Sequence, residues 1–174
     1  LKLLARIFLD QPALADGVEA ERVLADFDRH YAQTTGTSAR PYPGAAQALR
    51  ALREAGVKLA CVTNKELRHT QRLLDGLGLA SAFDLVIGGD SLPEKKPHAS
   101  VLRHVAATLG VALGRCAHLG DSAVDVAAAR NAGIAAWVVP YGYNAGAPIE
   151  TARPDRLFQN LSQVAEHVLG GRRC

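Results

Sequence analysis

Cys116-Ala117-His118-Leu119-Gly120-Asp121-Ser122-Ala123-Val124-Asp125 is the stretch on which the fold turns. Cys116–Leu119 reads as a short strand that runs directly into a Gly-Asp turn, and a helix over 123–132 follows, stopping at Gly133. The next strand is Ile134–Val139. The same alternation extends upstream. A helix over 45–55 places Leu49 and Leu52 inward, and the β-rich run Val57–Val62 comes after it. A helix over about 66–77, a strand Asp84–Ile87 and a helix over 98–109 continue the rhythm. Downstream lie a small strand at 156–158 and a helix over 161–169. Short apolar strands separated by helices imply βαβ units, so the expected class is α/β with a Rossmann-like, doubly wound parallel sheet.

The first 38 residues have another texture. Strand signals are lacking, and in Glu19–Thr34 the residues Val23, Phe27 and Tyr31, with Leu24 beside them, recur on one amphipathic helical face. Thr37-Ser38-Ala39-Arg40-Pro41-Tyr42-Pro43-Gly44 punctuates the chain as a linker. The expected division is a helical portion at 1–40 and an α/β core at 41–174.

Composition narrows the function. The 174 residues suit one domain with a small appendage, and 48% hydrophobic content supplies a core. No apolar run approaches the roughly 18–20 residues of a membrane span. A net charge of +3 argues against a nucleic-acid partner while tolerating a small anionic substrate. Cys61, Cys116 and Cys174 show no C-x-x-C spacing, which favours a reduced, cytoplasmic setting without zinc or disulfides. The sequence contains no methionine and begins at Leu1, so the expectation is that either a leading segment is lost or some residues are absent from the sequence as written.

In open α/β sheets ligands gather where strand carboxyl ends meet helix N-termini. Here those ends carry Thr63-Asn64, then Lys96 before Pro97, then Asp121 and Asp125. A hydroxyl, backbone N–H groups and an ammonium can hold a phosphoryl group, with a divalent cation on the carboxylates. Each element alone has a plainer explanation. Thr63-x-x-Glu66 and Ser122-x-x-Asp125 both fit a capping box, and a lysine at a helix start is commonly solvated. The ordered combination is what points to a site. His98, after Pro97, is a further candidate for substrate contact. Cys61, Cys116 and Trp137 read as core.

These motifs resemble the haloacid dehalogenase superfamily, and in particular its phosphoglycolate phosphatase-like branch. Val62-Thr63-Asn64-Lys65, Lys95-Lys96-Pro97-His98 and Gly120-Asp121-Ser122-Ala123-Val124-Asp125 match its second, third and fourth motifs. Phe27–Tyr31, Ile87–Asp90 and Tyr141–Asn144 resemble the branch's flanking stretches. The resemblance implies a Mg²⁺-dependent phosphatase acting on a small phosphorylated metabolite, 2-phosphoglycolate first among them. It implies that Thr63, Asn64, Lys96 and His98 bind substrate, with Thr63 and Lys96 in catalysis. Asp121 would ligate Mg²⁺, and Asp125 would anchor the metal's water shell or Lys96.

One motif is absent. The family opens on a strand ending Asp-x-Asp-Gly-Thr, whose first aspartate forms an aspartyl-phosphate intermediate. Here only Leu14-Ala15-Asp16-Gly17-Val18 and Asp10 come near it, and neither fits. The 174 residues alone are therefore expected to be inactive. Residues 1–40 would be a remnant of the helical cap, and 41–174 a core lacking its first strand. The alternatives are an inactive module of the same fold, a sugar-phosphate phosphatase or a phosphomutase. Loss of a central strand opens a gap of roughly 10 Å. It must close by direct pairing, be filled by a borrowed strand, or leave two edges exposed. Exposed edges, or the cap's apolar face, would favour self-association.

Overall fold

The computed structural model of the chain describes residues 39–171, together with Arg22, Ala25, Asp26, Arg29 and His30. By compactness the chain divides into two units, Leu1–Ala39 and Arg40–Cys174. In the first, Arg22, Ala25, Asp26, Arg29 and His30 are helical, and Arg29 pairs with Asp26 at 2.9 Å. Val23, Leu24, Phe27 and Tyr31, and the segments around Asp10 and Asp16, lie outside the described residues.

The second unit alternates as the sequence implies. Its elements are α1 (Ala45–Glu54), β1 (Ala60–Val62), α2 (Leu67–Gly76), β2 (Leu85–Ile87), α3 (Ala99–Thr108), β3 (Ala117–Gly120), α4 (Ala123–Ala132), β4 (Ala135–Val138), β5 (Arg156–Leu157) and α5 (Leu161–Gly170). Every strand pair is parallel. The fold is α/β with helices on both faces. On one side α3 packs on α4, whose alanines Ala128, Ala129 and Ala132 are buried against Val138 and Leu102. On the other, α1 packs on α5 through Ala48, Leu52 and Ala165. Small residues let α4 approach its strands closely, which is how a short parallel sheet excludes water.

Strands are shorter than the apolar runs suggest. Val57–Leu59 precede β1, and Asp84, whose N–H donates to the Leu59 carbonyl at 2.8 Å, closes the ladder there. Its carboxylate accepts from Leu59 N–H at 2.9 Å and from Lys58 Nζ at 3.4 Å. Cys116 also falls outside β3, its Sγ donating to the Ala112 carbonyl at 3.4 Å. Both Cys61 and Cys116 are half-buried free thiols rather than enclosed core residues. Trp137 is half-buried too, edge-on to Phe158 at 5.4 Å and to His167 at 5.3 Å.

The sheet is divided. β1 pairs only with β2, whereas β3, β4 and β5 form a separate set in that order. Among the described residues no ladder joins β1 to β3. The facing edges of β1 and β3 carry no ladder among the described residues. Between them lies a cavity of about 1080 Å³, walled by both strands and by α1, α3 and α5. That slot explains why Ala60–Val62 and His118–Gly120 are only half-buried, although a central parallel strand is ordinarily covered on both faces.

Candidate active site

The carboxyl ends of β1 and β3 are brought together by one side chain. Lys96 Nζ donates to the Val62 carbonyl at 2.8 Å, at the end of β1, and to Asp125 Oδ1 at 2.7 Å, in the first turn of α4. Side-chain exposure is 9% for Lys96 and 8% for Asp125, so this is a nearly dry ion pair. An ammonium has three donors, and these contacts use two.

Asp125 is held on both oxygens. Besides Lys96, its Oδ1 accepts from His118 Nε2 at 3.1 Å. Its Oδ2 accepts from Ser122 Oγ at 2.6 Å and from the backbone N–H groups of Ser122 and Asp121 at 3.2 and 3.3 Å. Burial alone would raise its pKa. The His118 hydrogen bond, the Lys96 charge and the Ser122 hydroxyl outweigh that and hold it well below the ordinary carboxylate range. Ser122 and Asp125 also form a true capping box for α4, so here the helix-cap explanation and the site explanation hold together. Gly120 makes this packing possible, because a Cβ there would collide with the Asp125 side chain.

Asp121 points elsewhere. Its Oδ2 accepts from Tyr143 N–H at 2.8 Å, in the loop after β4, and a Cβ on Gly142 would strike the same carboxylate. Gly142 has φ +123, which other residues rarely adopt. Asn144 ties the loop down, its Oδ1 accepting from Ala123 N–H at 2.9 Å. Among the described residues nothing donates to Asp121 Oδ1.

Thr63 follows Val62 directly. Its Oγ1 accepts from Lys65 N–H at 3.1 Å, leaving the hydroxyl proton to donate. It does not cap α2: the N-cap position is Glu66, and Asp90 Oδ1 takes the Leu67 N–H at 2.7 Å. Asn64 Nδ2 donates to the Lys96 carbonyl at 2.9 Å, fixing the lysine's loop against the end of β1. The candidate His98 is exposed and caps α3, its Nδ1 accepting from Ser100 N–H at 3.3 Å and lying 2.8 Å from Ser100 Oγ. No contact joins His98 to Lys96 or Asp125.

Lys96, Asp125, Asp121 and the Thr63 loop thus share one edge. His118 belongs with them, and sequence reasoning passed over it as part of a strand. The signal was a polar ring inside an otherwise apolar run, two positions before Gly120-Asp121.

The donor set bears on magnesium. No group of three or more His, Cys, Asp or Glu side chains among the described residues is placed to hold a metal. Mg²⁺, however, keeps several waters and takes only one or two carboxylates. Asp121, with an oxygen left over, fits that demand. Asp125, with five donors on it, fits the other expected role, as the anchor of Lys96.

The chain matches the family described as haloacid dehalogenase-like hydrolase over residues 2–133. It is 44% identical over 161 residues to the plasmid-encoded phosphoglycolate phosphatase of Cupriavidus necator, covering 92% of this chain and 70% of that protein. It is 37% identical over 144 residues to the phosphoglycolate phosphatase of Thiobacillus denitrificans, covering 83% and 63%. The crystal structure of a predicted phosphoglycolate phosphatase from Haemophilus somnus superposes with a TM-score of 0.82 at 32% identity, over 85% of this chain and 66% of that one. The chain therefore spans about two thirds of the length of such relatives. The parallel α/β core, the motif order and this similarity agree: the chain belongs to the haloacid dehalogenase-like hydrolases.

Proposed function

We propose that this edge is the phosphate site of a Mg²⁺-dependent phosphomonoesterase whose substrate is a small anionic metabolite, 2-phosphoglycolate in the first instance. The observation that carries the reading is Lys96. Its ammonium is desolvated, held by β1 and α4 at once, and retains one donor. A buried cation that is not fully spent stabilises an incoming dianion far more than a solvated lysine does. Thr63 supplies the neighbouring hydroxyl donor, and Asn64 keeps the lysine loop in register. Asp121 would hold Mg²⁺, which when bound withdraws charge from the phosphoryl oxygens. Asp125 acts through Lys96: it fixes the ammonium's direction.

None of these residues is a suitable nucleophile. Thr63 serves as a hydroxyl donor, Lys96 is engaged with the Val62 carbonyl and the Asp125 carboxylate, and Asp125 already accepts from five donors. In this reading residues 41–174 are the phosphatase core and residues 1–40 the remnant of its cap. The 174 residues bind phosphate and do not turn over substrate, since the aspartate that would carry an aspartyl phosphate is not among them. The test is a phosphatase assay with 2-phosphoglycolate and Mg²⁺. Release of phosphate no faster than by a Lys96→Ala variant is expected, and turnover well above that control would overturn the division of labour.

A further inference from the structure

Lys96 sits on a segment with no regular structure of its own. Residues 92–98, between β2 and α3, form neither helix nor strand. A functional side chain on such a segment keeps its direction only if supporting hydrogen bonds hold its main chain. Two adjacent carbonyls are held here, from two different elements. Asn64 Nδ2, at the end of β1, donates to the Lys96 carbonyl at 2.9 Å. Asn131 Nδ2, in the last turn of α4, donates to the Pro97 carbonyl at 2.9 Å.

Asn131 is exposed, yet it is tied down in turn. Its own carbonyl accepts from Arg103 Nη2 at 3.2 Å, and that of Ala132 accepts from Arg103 Nε at 3.3 Å. Arg103 lies on α3, the helix into which the lysine segment leads, and a guanidinium suits the partial negative charge at the carboxyl end of α4. The contacts close a ring: Pro97 to α3, α3 through Arg103 to the end of α4, and that end through Asn131 back to Pro97. Helix α4 therefore holds the lysine twice, because Asp125 in its first turn takes the ammonium at 2.7 Å. Asn131 lies six positions beyond Asp125, about 9 Å along the axis, so it acts on the main chain of the lysine and not on its charge. Nor is its amide needed to end the helix. Gly133, with φ +78, does that.

We propose that Asn131 is a positioning residue for Lys96. With Asn64 opposite, it clamps the Lys96-Pro97 main chain between α4 and β1, so that the ammonium donor not used by Val62 and Asp125 keeps a fixed direction. The proposal rests on the reading of this edge as a phosphate site, and one of its two measurements needs no phosphate.

The variants are Asn131→Ala and Asn131→Leu, the second close to the amide in shape but without a proton to donate. In the 174-residue chain, exchange of the Lys96 ammonium protons with water is followed through their ¹H–¹⁵Nζ NMR signal. Inorganic phosphate is then titrated by ³¹P NMR, and thermal melts are recorded alongside. Both variants are expected to speed ammonium exchange and to weaken phosphate binding, each by about fivefold, the size of effect that one hydrogen bond carries. A residue that only secured the helix end would lower the melting temperature and leave the folded chain with the parent's exchange rate and phosphate affinity. That result would overturn the proposal. A parent chain that binds no phosphate would remove the phosphate reading, and ammonium exchange would still decide the clamp: faster in both variants upholds it, unchanged in either folded variant overturns it.

Discussion

Lys96 and Asp125 lie 29 positions apart in the chain and 2.7 Å apart in space, each nearly closed to solvent. Their pairing crosses the divided sheet, because Lys96 also holds the end of β1 while Asp125 opens the helix after β3. Among the described residues no backbone ladder joins those strands, so this ion pair is a polar tie between the two parts of the sheet.

Removing one partner should therefore be costly. Asp125→Asn leaves a buried ammonium with a neutral neighbour and weakens the hydrogen bonds from His118 and Ser122. The expected loss is about 3 kcal/mol of unfolding free energy, in the range for breaking a buried pair. Urea titration at neutral pH measures it.

The same carboxylate sets a pH dependence. Its folded-state pKa lies below the unfolded value, so its contribution is fully present above the unfolded value near 4 and is lost as pH falls toward the folded one. Between pH 5 and 2, roughly the window in which unfolded carboxylates titrate, the parent chain is expected to lose stability more steeply than Asp125→Asn. Parallel curves from thermal melts in that range would refute the linkage.

Gly120→Ala places a methyl group into the Asp125 side chain. The carboxylate or the turn must move, at a cost of about 1–3 kcal/mol typical of overpacking. A rise in the pKa of Asp125, read by carboxyl ¹³C chemical shift, should accompany the loss, since displacement lengthens the contact with Lys96.

Asp121→Asn separates metal from fold. An asparagine oxygen can still accept from Tyr143 N–H, so unfolding free energy should change by no more than about 0.5 kcal/mol. Any enhancement of phosphate binding by Mg²⁺ should disappear, because a neutral amide is a far weaker ligand for a hard cation. Calorimetric titration of phosphate with and without Mg²⁺ reads both.

Much of this was legible in the residues. The helix over 123–132 and the strand beginning near Cys116 are placed within a residue or so, because glycine stops and apolar runs act locally. Lys96 and Asp125 are legible as a motif in order, and the fold places their side chains 2.7 Å apart. What the sequence hid depends on partners. The ladder of β1 closes at Asp84, 25 positions from Leu59, and no local pattern announces it. His118 looked like a strand residue because its role exists only once Asp125 folds back beside it. The ring of His98 caps α3, a contact that depends on Ser100 lying at the helix start.

The central claim is that Lys96 is the principal anion receptor of this edge. Inorganic phosphate titrated against the chain by ³¹P NMR, beside Lys96→Ala and Thr63→Val, tests it most directly. Binding to the parent chain is predicted, weakened by about tenfold in Thr63→Val and by about a hundredfold in Lys96→Ala, in keeping with a charged hydrogen bond worth about twice a neutral one. Thr63→Val spares the ion pair, so its result stands even if Lys96→Ala folds poorly. Phosphate bound equally by a folded Lys96→Ala chain, or not bound by the parent at all, would contradict the account.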